Sequence, residues 1–324
     1  MKRFWALLLC VLCLLFVPFS ALADSVSFGG MEFDPEAASI DLGDQKVENF
    51  KDFIRFLGQF PNLKKVDMFA TQIKADQVEE LRLAFPEVTF GWTLQLMKYK
   101  NDHIVRTDAE AFSTLHGHHP YHYSKEFVLL NYCTELLALD LGHNFLSDIS
   151  FLANMPRLRV LILADNGNMK NIEVLSGLKD LEYLELFTCG ITDISPLKDL
   201  PNLMDLNLCN NKVKDWRPLK EMKQLRRLWI SKMCTPRMTA AEKQELQEAL
   251  PDTTIVFDGE PTEKGWRKDP HYDIIYEIFH TGKYIPFAES PPLPGQEIPE
   301  TEAFPGEAEI EEIEMSGTDA AGNK

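Results

Sequence analysis

Aliphatic residues in the middle of the chain recur in one fixed pattern. Each occurrence carries aliphatic residues at its first, fourth and sixth positions, and successive occurrences begin 22, 23, 22 and 22 residues apart. Inward-facing residues two positions apart predict a short β-strand in every repeat. The five triplets are Leu136-Leu139-Leu141, Leu158-Leu161-Leu163, Leu181-Leu184-Leu186, Leu203-Leu206-Leu208 and Leu225-Leu228-Ile230.

A polar or small residue follows each of the first four triplets after three positions. It is Asn144, Asn166, Cys189 or Asn211. The chain must turn inward there, and an asparagine amide offers both a donor and an acceptor to backbone groups that the turn leaves unpaired. One repeat cannot bury its own leucines, so the pattern predicts stacked repeats with a continuous core and a parallel sheet. Agreement over five repeats argues against chance leucine spacing in a helical protein.

The pattern resembles the leucine-rich repeat. The resemblance implies an α/β fold: a curved solenoid with a parallel β-sheet on its concave face and helix-containing terminal units. It is specific over residues 136–230. More loosely, residues 36–287 resemble bacterial exported leucine-rich repeat proteins with a Trp-Arg-containing segment after the last repeat. That resemblance implies neither a catalytic activity nor a particular ligand.

The flanks predict five parts of the chain. They are a signal peptide over residues 1–23, an irregular repeat or cap region over 24–110, the repeats over 111–233, a C-terminal cap over 234–287 and an acidic disordered tail over 288–324. Within the C-terminal cap, the sequence predicts a helix over residues 240–250. We expect Trp266 and Tyr272 to pack across the end of the solenoid, the alternative being an exposed aromatic docking site.

The first residues have the three parts of a secretory signal. Lys2-Arg3 precedes an apolar stretch from Phe4 to Phe19, and Ala21-Leu22-Ala23 predicts cleavage after Ala23. The apolar stretch is short for a membrane span, although an uncleaved anchor is the alternative. We therefore expect a secreted, surface or periplasmic protein with no stable membrane span after cleavage.

The formal net charge of −17 is concentrated in the tail. From Ala288 onward there are ten acidic residues and one lysine, and few aromatic residues that could form a core. Nucleic acid and anionic membrane surfaces attract basic proteins, so neither is an expected partner.

The cysteines of the exported part do not predict disulfides. Cys133, Cys189, Cys209 and Cys234 are the four concerned. Cys189 occupies the inward asparagine position, which predicts a buried thiol, whereas Cys209 is expected on the exposed strand face.

Four histidines form the one candidate metal site. His116, His118, His119 and His122 could supply nitrogen ligands to zinc, copper or nickel. Glycine and proline within this stretch favour a solvated loop instead. No hydrolase, phosphate-loop or metalloprotease motif is present, and the repeat aspartates stand at turn positions, so we expect no enzyme activity and no cofactor.

The outward positions of the repeat strands form the candidate binding surface. They include Ile162, Tyr183, Glu185, Phe187, Asp205, Asn207, Arg227 and Trp229. Aromatic residues beside charged ones are typical of a recognition surface, here for a protein or peptide. Carbohydrate or cell-wall glycan is the alternative ligand. A further alternative is that the tail, or the segment after Trp266, covers this face from within the chain.

Overall fold

The computed structural model describes residues 25–72, 75–96, 104–114, 122–262 and 264–293. Contacts divide the chain into two compact units, Met1–Phe287 and Ala288–Lys324, and every element named below belongs to the first. Its strands are β1 (Val26–Phe28), β2 (Met31–Phe33), β3 (Ser39–Asp41), β4 (Lys65–Gln72), β5 (Thr89–Gln95), β6 (Ile104–Arg106), β7 (Ala111–Ser113), β8 (Ala138–Asp140), β9 (Val160–Ile162), β10 (Tyr183–Glu185), β11 (Asp205–Asn207), β12 (Arg227–Trp229) and β13 (Thr254–Val256). Its α-helices are α1 (Phe50–Leu57), α2 (Ala75–Ala84), α3 (Ala240–Ala249) and α4 (Pro270–Thr281).

The repeats stack as a seven-stranded sheet that runs β7 to β13 in chain order. Every neighbouring pair in it is parallel, and the first residues of β10 and β11, Tyr183 and Asp205, are paired. Each strand is only three residues long because the chain must turn back across the core. The predicted parallel sheet of a repeat solenoid is confirmed.

The core lies between this sheet and a row of short 3₁₀ helices. The inward leucines of the five triplets are fully buried, and the five 3₁₀ helices of the row each contribute at least one buried leucine, such as Leu175 or Leu197. The 3₁₀ helices are Ser124–Glu126, Val128–Tyr132, Ser150–Asn154, Glu173–Gly177, Ser195–Asp199, Arg217–Glu221 and Trp266–Lys268. Except for the first and last of these, they occupy equivalent places in successive repeats.

Buried asparagines tie each repeat to the one before it. Asn211 donates through Nδ2 to the carbonyls of Leu208, 2.9 Å away, and Leu186, 2.8 Å away, and its Oδ1 accepts from the Ile191 amide at 3.0 Å. Leu186 and Ile191 belong to the preceding repeat. Cys189 occupies the equivalent position in its own repeat, and its thiol donates to the Leu163 carbonyl, with 3.1 Å between sulfur and oxygen. The predicted role of the inward asparagine is confirmed.

A left-handed residue ends each repeat strand. His143, Asp165, Thr188, Asn210 and Lys232 all have φ between 53° and 59°. This conformation turns the chain out of the strand while the residue's amide still bonds to the next repeat, as His143 does to the Ala164 carbonyl at 2.8 Å. The turn directs the following residue, which is an asparagine, a cysteine or, after Lys232, Met233, into the core.

The N-terminal part forms separate sheets. Strands β1 and β2 pair antiparallel, and β3 to β6 form a four-stranded sheet in which β6 runs antiparallel to β5. Helix α1 begins at Asn49, whose side chain accepts from two first-turn amides, and it packs Phe53 and Phe56 into a cluster with Phe28. Among the described residues, no helix is long and apolar enough to cross a membrane.

The four cysteines of the described residues are free and buried. Burial raises the pKa of Cys133, Cys189 and Cys209 to about 12 and that of Cys234 to about 11. The prediction of a buried Cys189 is confirmed. The prediction that Cys209 lies on an exposed face is wrong, because its side chain is fully covered.

These buried thiols predict slow alkylation of the folded protein. The thiolate is the reactive species, and burial disfavours it while also blocking access. Iodoacetamide at pH 8 should leave the four thiols unmodified in buffer and label all four in denaturant, as read by mass spectrometry. Rapid labelling of Cys189 in the folded protein would contradict this prediction.

Candidate functional site

The concave face of the seven-stranded sheet is covered by the chain's own residues 260–287, which we call the covering segment. It contains the 3₁₀ helix Trp266–Lys268 and helix α4. Helix α4 begins at Asp269, whose side chain accepts from the His271 amide, continues through Pro270 and ends at Gly282 in the left-handed conformation. These start and stop signals set the length of the helix that lies over the sheet.

Trp266 is the central contact between the covering segment and the sheet. Its side chain is fully buried, and its Nε1 lies 2.7 Å from the Tyr183 hydroxyl and 2.8 Å from Glu185 Oε1. Its ring packs against those of Tyr183 and Trp229, with centroids 5.5 and 6.0 Å apart. A buried carboxylate requires such donors, so Trp266 both fills space and satisfies Glu185.

Gly265 allows this close approach. A Cβ at this position would collide with the carbonyl oxygen of Glu260 and with the ring of Trp229. Only glycine therefore brings the backbone near enough to Trp229 for Trp266 to reach the strands.

A second set of contacts is built from charges. Arg227 binds Asp205 through two nitrogens, at 3.2 and 3.3 Å, and its guanidinium lies 3.7 Å from the centroid of the Trp266 ring. It also donates to the Trp266 carbonyl at 2.9 Å. His271 Nδ1 lies 2.6 Å from Asp205 Oδ2, so Asp205 is held by one residue of the sheet and one of the covering segment.

Glu185 and Glu182 bind cationic and hydroxyl groups of the same segment. Arg267 lies 3.1 Å from Glu185 Oε2. Glu182 is fully buried, pairs with Arg159 at 2.5 Å and accepts from the Tyr284 hydroxyl at 3.1 Å. Buried charges persist in a folded protein when they are paired in this way.

The predicted exposure of the concave face is therefore wrong. Of the eight residues predicted to form the binding surface, Trp229 is half-buried and the other seven are at most 7% exposed. The seven are Ile162, Tyr183, Glu185, Phe187, Asp205, Asn207 and Arg227. Contacts from the covering segment account for much of this burial, and they include the bond from Asn207 Nδ2 to the Pro261 carbonyl at 3.0 Å. Trp266 likewise packs on the concave face and not across the end of the solenoid. The role of these residues in binding a partner stays a prediction.

Asp140 is a buried acid on the same face. Its Oδ2 accepts from the Ser113 hydroxyl at 3.0 Å and its Oδ1 from the Gly142 amide at 2.9 Å. Burial nevertheless raises the pKa of Asp140 to about 6. The negative charge of Glu185 acts in the same direction, while the two hydrogen bonds and Arg267 oppose it.

This shift predicts that Asp140→Asn raises the free energy of unfolding at pH 7. The folded state binds more protons than the unfolded state between pH 4 and 6, so Asp140 makes stability fall as pH rises through that window. Asparagine can donate to the Ser113 oxygen, accept from Gly142 and carry no charge. We expect a gain of about 2–3 kcal/mol at pH 7 and little gain at pH 4, measured by urea unfolding. An equal effect at both pH values would contradict the prediction.

Of the four candidate metal-binding histidines, only His122 is among the described residues. Its Nδ1 lies 3.5 Å from Glu126 Oε2, and burial lowers its pKa. In the described part of the chain no three histidine, cysteine or acidic residues are arranged to hold a metal ion. His116, His118 and His119 lie outside the described residues, so the metal hypothesis concerns residues of which the structure says nothing.

Known proteins share the repeat pattern. The family model for leucine rich repeats in two copies matches residues 156–199, where β9 and β10 and their 3₁₀ helices form two consecutive repeats. This chain contains leucine-rich repeats. The family and fold predicted from the sequence are confirmed.

Three relatives show the extent of the similarity. A Roc-COR-CHAT protease from an unknown prokaryotic organism is 34% identical over 84 residues, which are 26% of this chain and 8% of that protein. An internalin (inlF) from Listeria monocytogenes str. 4b F2365 is 19% identical with a TM-score of 0.36, over 71% of this chain and 64% of that one. An internalin C2 from the same strain is 20% identical with a TM-score of 0.35, over 71% and 87%.

The chain thus spans only part of the length of the first proteins it matches. It covers 8% of the protease and 64% of inlF, so the activities of those whole proteins do not transfer to it. Leucine-rich repeat domains typically mediate protein–protein interaction and are generally not enzymes. Fold alone names no partner.

Proposed function

We propose that this leucine-rich repeat protein is a non-catalytic recognition module that binds a polypeptide partner on its concave sheet, and that the partner displaces the covering segment. The observation that supports the proposal is that the concave sheet already holds a polypeptide, its own residues 260–287. The bonds from Trp266 to Tyr183 and Glu185 are of the kind that a partner chain would make.

The sheet also defines the chemistry of the partner. Displacing the covering segment removes two donors of Glu185, Trp266 and Arg267, and leaves it the Tyr183 hydroxyl of the same strand. Asp205 loses His271, and Arg227 loses the Trp266 carbonyl and Asp269. Buried polar groups left without partners cost about 1–3 kcal/mol each, so a competing chain must satisfy them. We therefore expect an aromatic or cationic donor for Glu185 and an acceptor for Arg227, as the Trp266-Arg267 pair and its carbonyl provide now.

The first test uses the covering segment as the ligand. A fluorescent peptide of residues 260–287 is titrated into the wild-type chain and into a Trp266→Ala, Arg267→Ala variant, whose own segment is weakened. The peptide should bind the variant more tightly, because apparent affinity falls with the fraction of molecules whose site is closed. A Lys268→Ala chain, changed at an exposed residue of the same segment, should behave as the wild type.

Two outcomes would overturn the proposal. One is that the peptide binds neither protein. The other is that binding survives when Tyr183→Ala, Phe187→Ala and Trp229→Ala are added to the weakened variant, because the ligand would then bind elsewhere. Capture of partners from the native cell surface would follow, with the wild type, the weakened variant and the weakened variant that carries the three further substitutions. Cross-links to the captured partner are required to map to β10, β11 or β12.

Glycan binding has less support than it had from the sequence. It depended on exposed aromatic residues, and Tyr183 and Phe187 are buried. Export stays a prediction, because residues 1–24 lie outside the described ones. If it is right, protein recovered from the medium should begin at Asp24, and an intact Met1 would contradict it.

A further inference from the structure

A cavity of about 260 Å³ lies between helix α4 and the first strands of the seven-stranded sheet. Its floor is formed by Ser113, Asp140 and Ile162, and the helix contributes Tyr272, Ile275, Tyr276, Phe279 and His280. Tyr276 and His280 are exposed and stacked on each other, with ring centroids 5.9 Å apart. The cavity therefore has a solvent-accessible aromatic rim above a floor that contains polar groups.

The only carboxyl group among the lining residues is Asp140, which is 4% exposed. Each of its oxygens accepts one hydrogen bond, from Ser113 or Gly142, and a carboxylate oxygen can accept two. Arg267 is a cation that acts on Asp140, and its guanidinium is paired with Glu185. The floor thus retains both acceptor capacity and a negative charge that no lining residue neutralises.

The aromatic rim favours a cation, as the negative charge of the floor does. A cation is attracted to the faces of aromatic rings, and two tyrosines and a phenylalanine line the cavity. Ile162 and Ile275 offer apolar contact to an alkyl chain. We propose that this cavity binds an alkylammonium group, with the ammonium on Asp140 and Ser113 and the alkyl chain between Ile162, Ile275 and the aromatic rim.

The argument for this site does not rest on the proposed function. It is formed by helix α4 lying on the sheet, so it exists while the covering segment is in place. Binding of an amine would stabilise that closed arrangement, since a ligand favours the state that contains its site. Failure of the amine test would leave partner binding at β10 to β12 untouched, and the reverse also holds.

The test is a titration of the full chain with n-butylamine, followed by NMR of isoleucine methyl groups. Ile162 and Ile275 line the cavity and serve as reporters. We expect their signals to shift saturably with n-butylammonium and to stay unchanged with 1-butanol, its neutral analogue, at the same concentration. Asp140→Asn should abolish the shifts, whereas Asp273→Asn, at an exposed position of the same helix, should retain them.

The pH dependence gives a second readout. With the pKa of Asp140 at about 6, its ionised fraction falls about tenfold from pH 7 to pH 5, and affinity for the amine should fall by the same factor. The charged groups that act on Asp140 are Glu185 and Arg267, which are paired with each other, and His280 is the histidine of the rim. The Asp140→Asn protein should show no such dependence.

Competition decides the source of the amine. Displacement of n-butylamine by Nα-acetyl-lysine amide would indicate that a lysine side chain of a polypeptide fits, and retention of n-butylamine would indicate a free small amine. The proposal is overturned if 1-butanol causes the same shifts, if Asp140→Asn binds as the wild type does, or if no shift occurs at tens of millimolar n-butylamine.

Discussion

Replacing Trp266 by alanine is expected to weaken the docking of the covering segment by about 3–5 kcal/mol, the usual cost of removing a buried tryptophan side chain. Trp266 is fully buried among Tyr183, Trp229 and Arg227. Its loss leaves a cavity and removes a donor from Glu185. Hydrogen exchange should show the change as faster exchange throughout residues 264–287.

Two further variants separate the contributions of shape and hydrogen bonding. Trp266→Phe keeps most of the packing but removes the N–H that bonds to Tyr183 and Glu185, so we expect a smaller loss of about 1–3 kcal/mol. Lys268→Ala, at an exposed position, should change stability by less than about 0.5 kcal/mol. Unchanged exchange of residues 264–287 in Trp266→Ala would mean that this contact does not hold the segment.

The repeats could be predicted from the sequence because their physics is local and periodic. Each leucine triplet places its side chains on one face of a three-residue strand, and each asparagine bonds within its own repeat and to its neighbour. A wrong alignment of one repeat would have been recognised by comparison with the other four. The left-handed residues were not predicted, because Thr188 and Lys232 are not residue types that favour positive φ and the five positions share no residue type.

The cover over the concave face could not be derived from periodicity. The bond between Trp266 and Tyr183 joins residues 83 positions apart, and no repeat relates them. A signal was nevertheless present. The strands carry Glu185, Asp205 and Arg227 at outward positions, and the segment after the repeats carries Trp266, Arg267, Asp269 and His271, which match them in charge and hydrogen bonding.

The amine cavity depends still more on tertiary placement. From the sequence Asp140 is one of several acids on a strand face, and helix α4 is one amphipathic segment. Only the position of that helix over β7 to β9 buries the Asp140 carboxyl and surrounds it with aromatic rings. Candidate sites formed between distant elements therefore require the structure, whereas the repeats that carry them do not.

Replacing Asn166 by alanine should destabilise the solenoid itself. Asn166 is fully buried, and its Nδ2 donates to the carbonyls of Leu163 at 2.8 Å and Leu141 at 3.0 Å, while its Oδ1 accepts from the Leu146 amide at 2.9 Å. Leu141 and Leu146 belong to the preceding repeat, so one side chain holds two repeats in register. At about 1–3 kcal/mol for each buried group left unsatisfied, we expect a total loss of about 3–5 kcal/mol.

Asn166→Asp tests whether hydrogen bonding or volume is responsible. Aspartate fills nearly the same space but cannot donate to the two carbonyls and would bury a charge, so we expect it to be at least as destabilising as alanine. Asn154→Ala, at an exposed asparagine bonded to Asn131, should cost less than about 0.5 kcal/mol. Chemical denaturation followed by tryptophan fluorescence measures all three. If aspartate were tolerated while alanine was not, the side chain's volume would be what matters, and the hydrogen bonds between repeats would contribute little to holding the solenoid together.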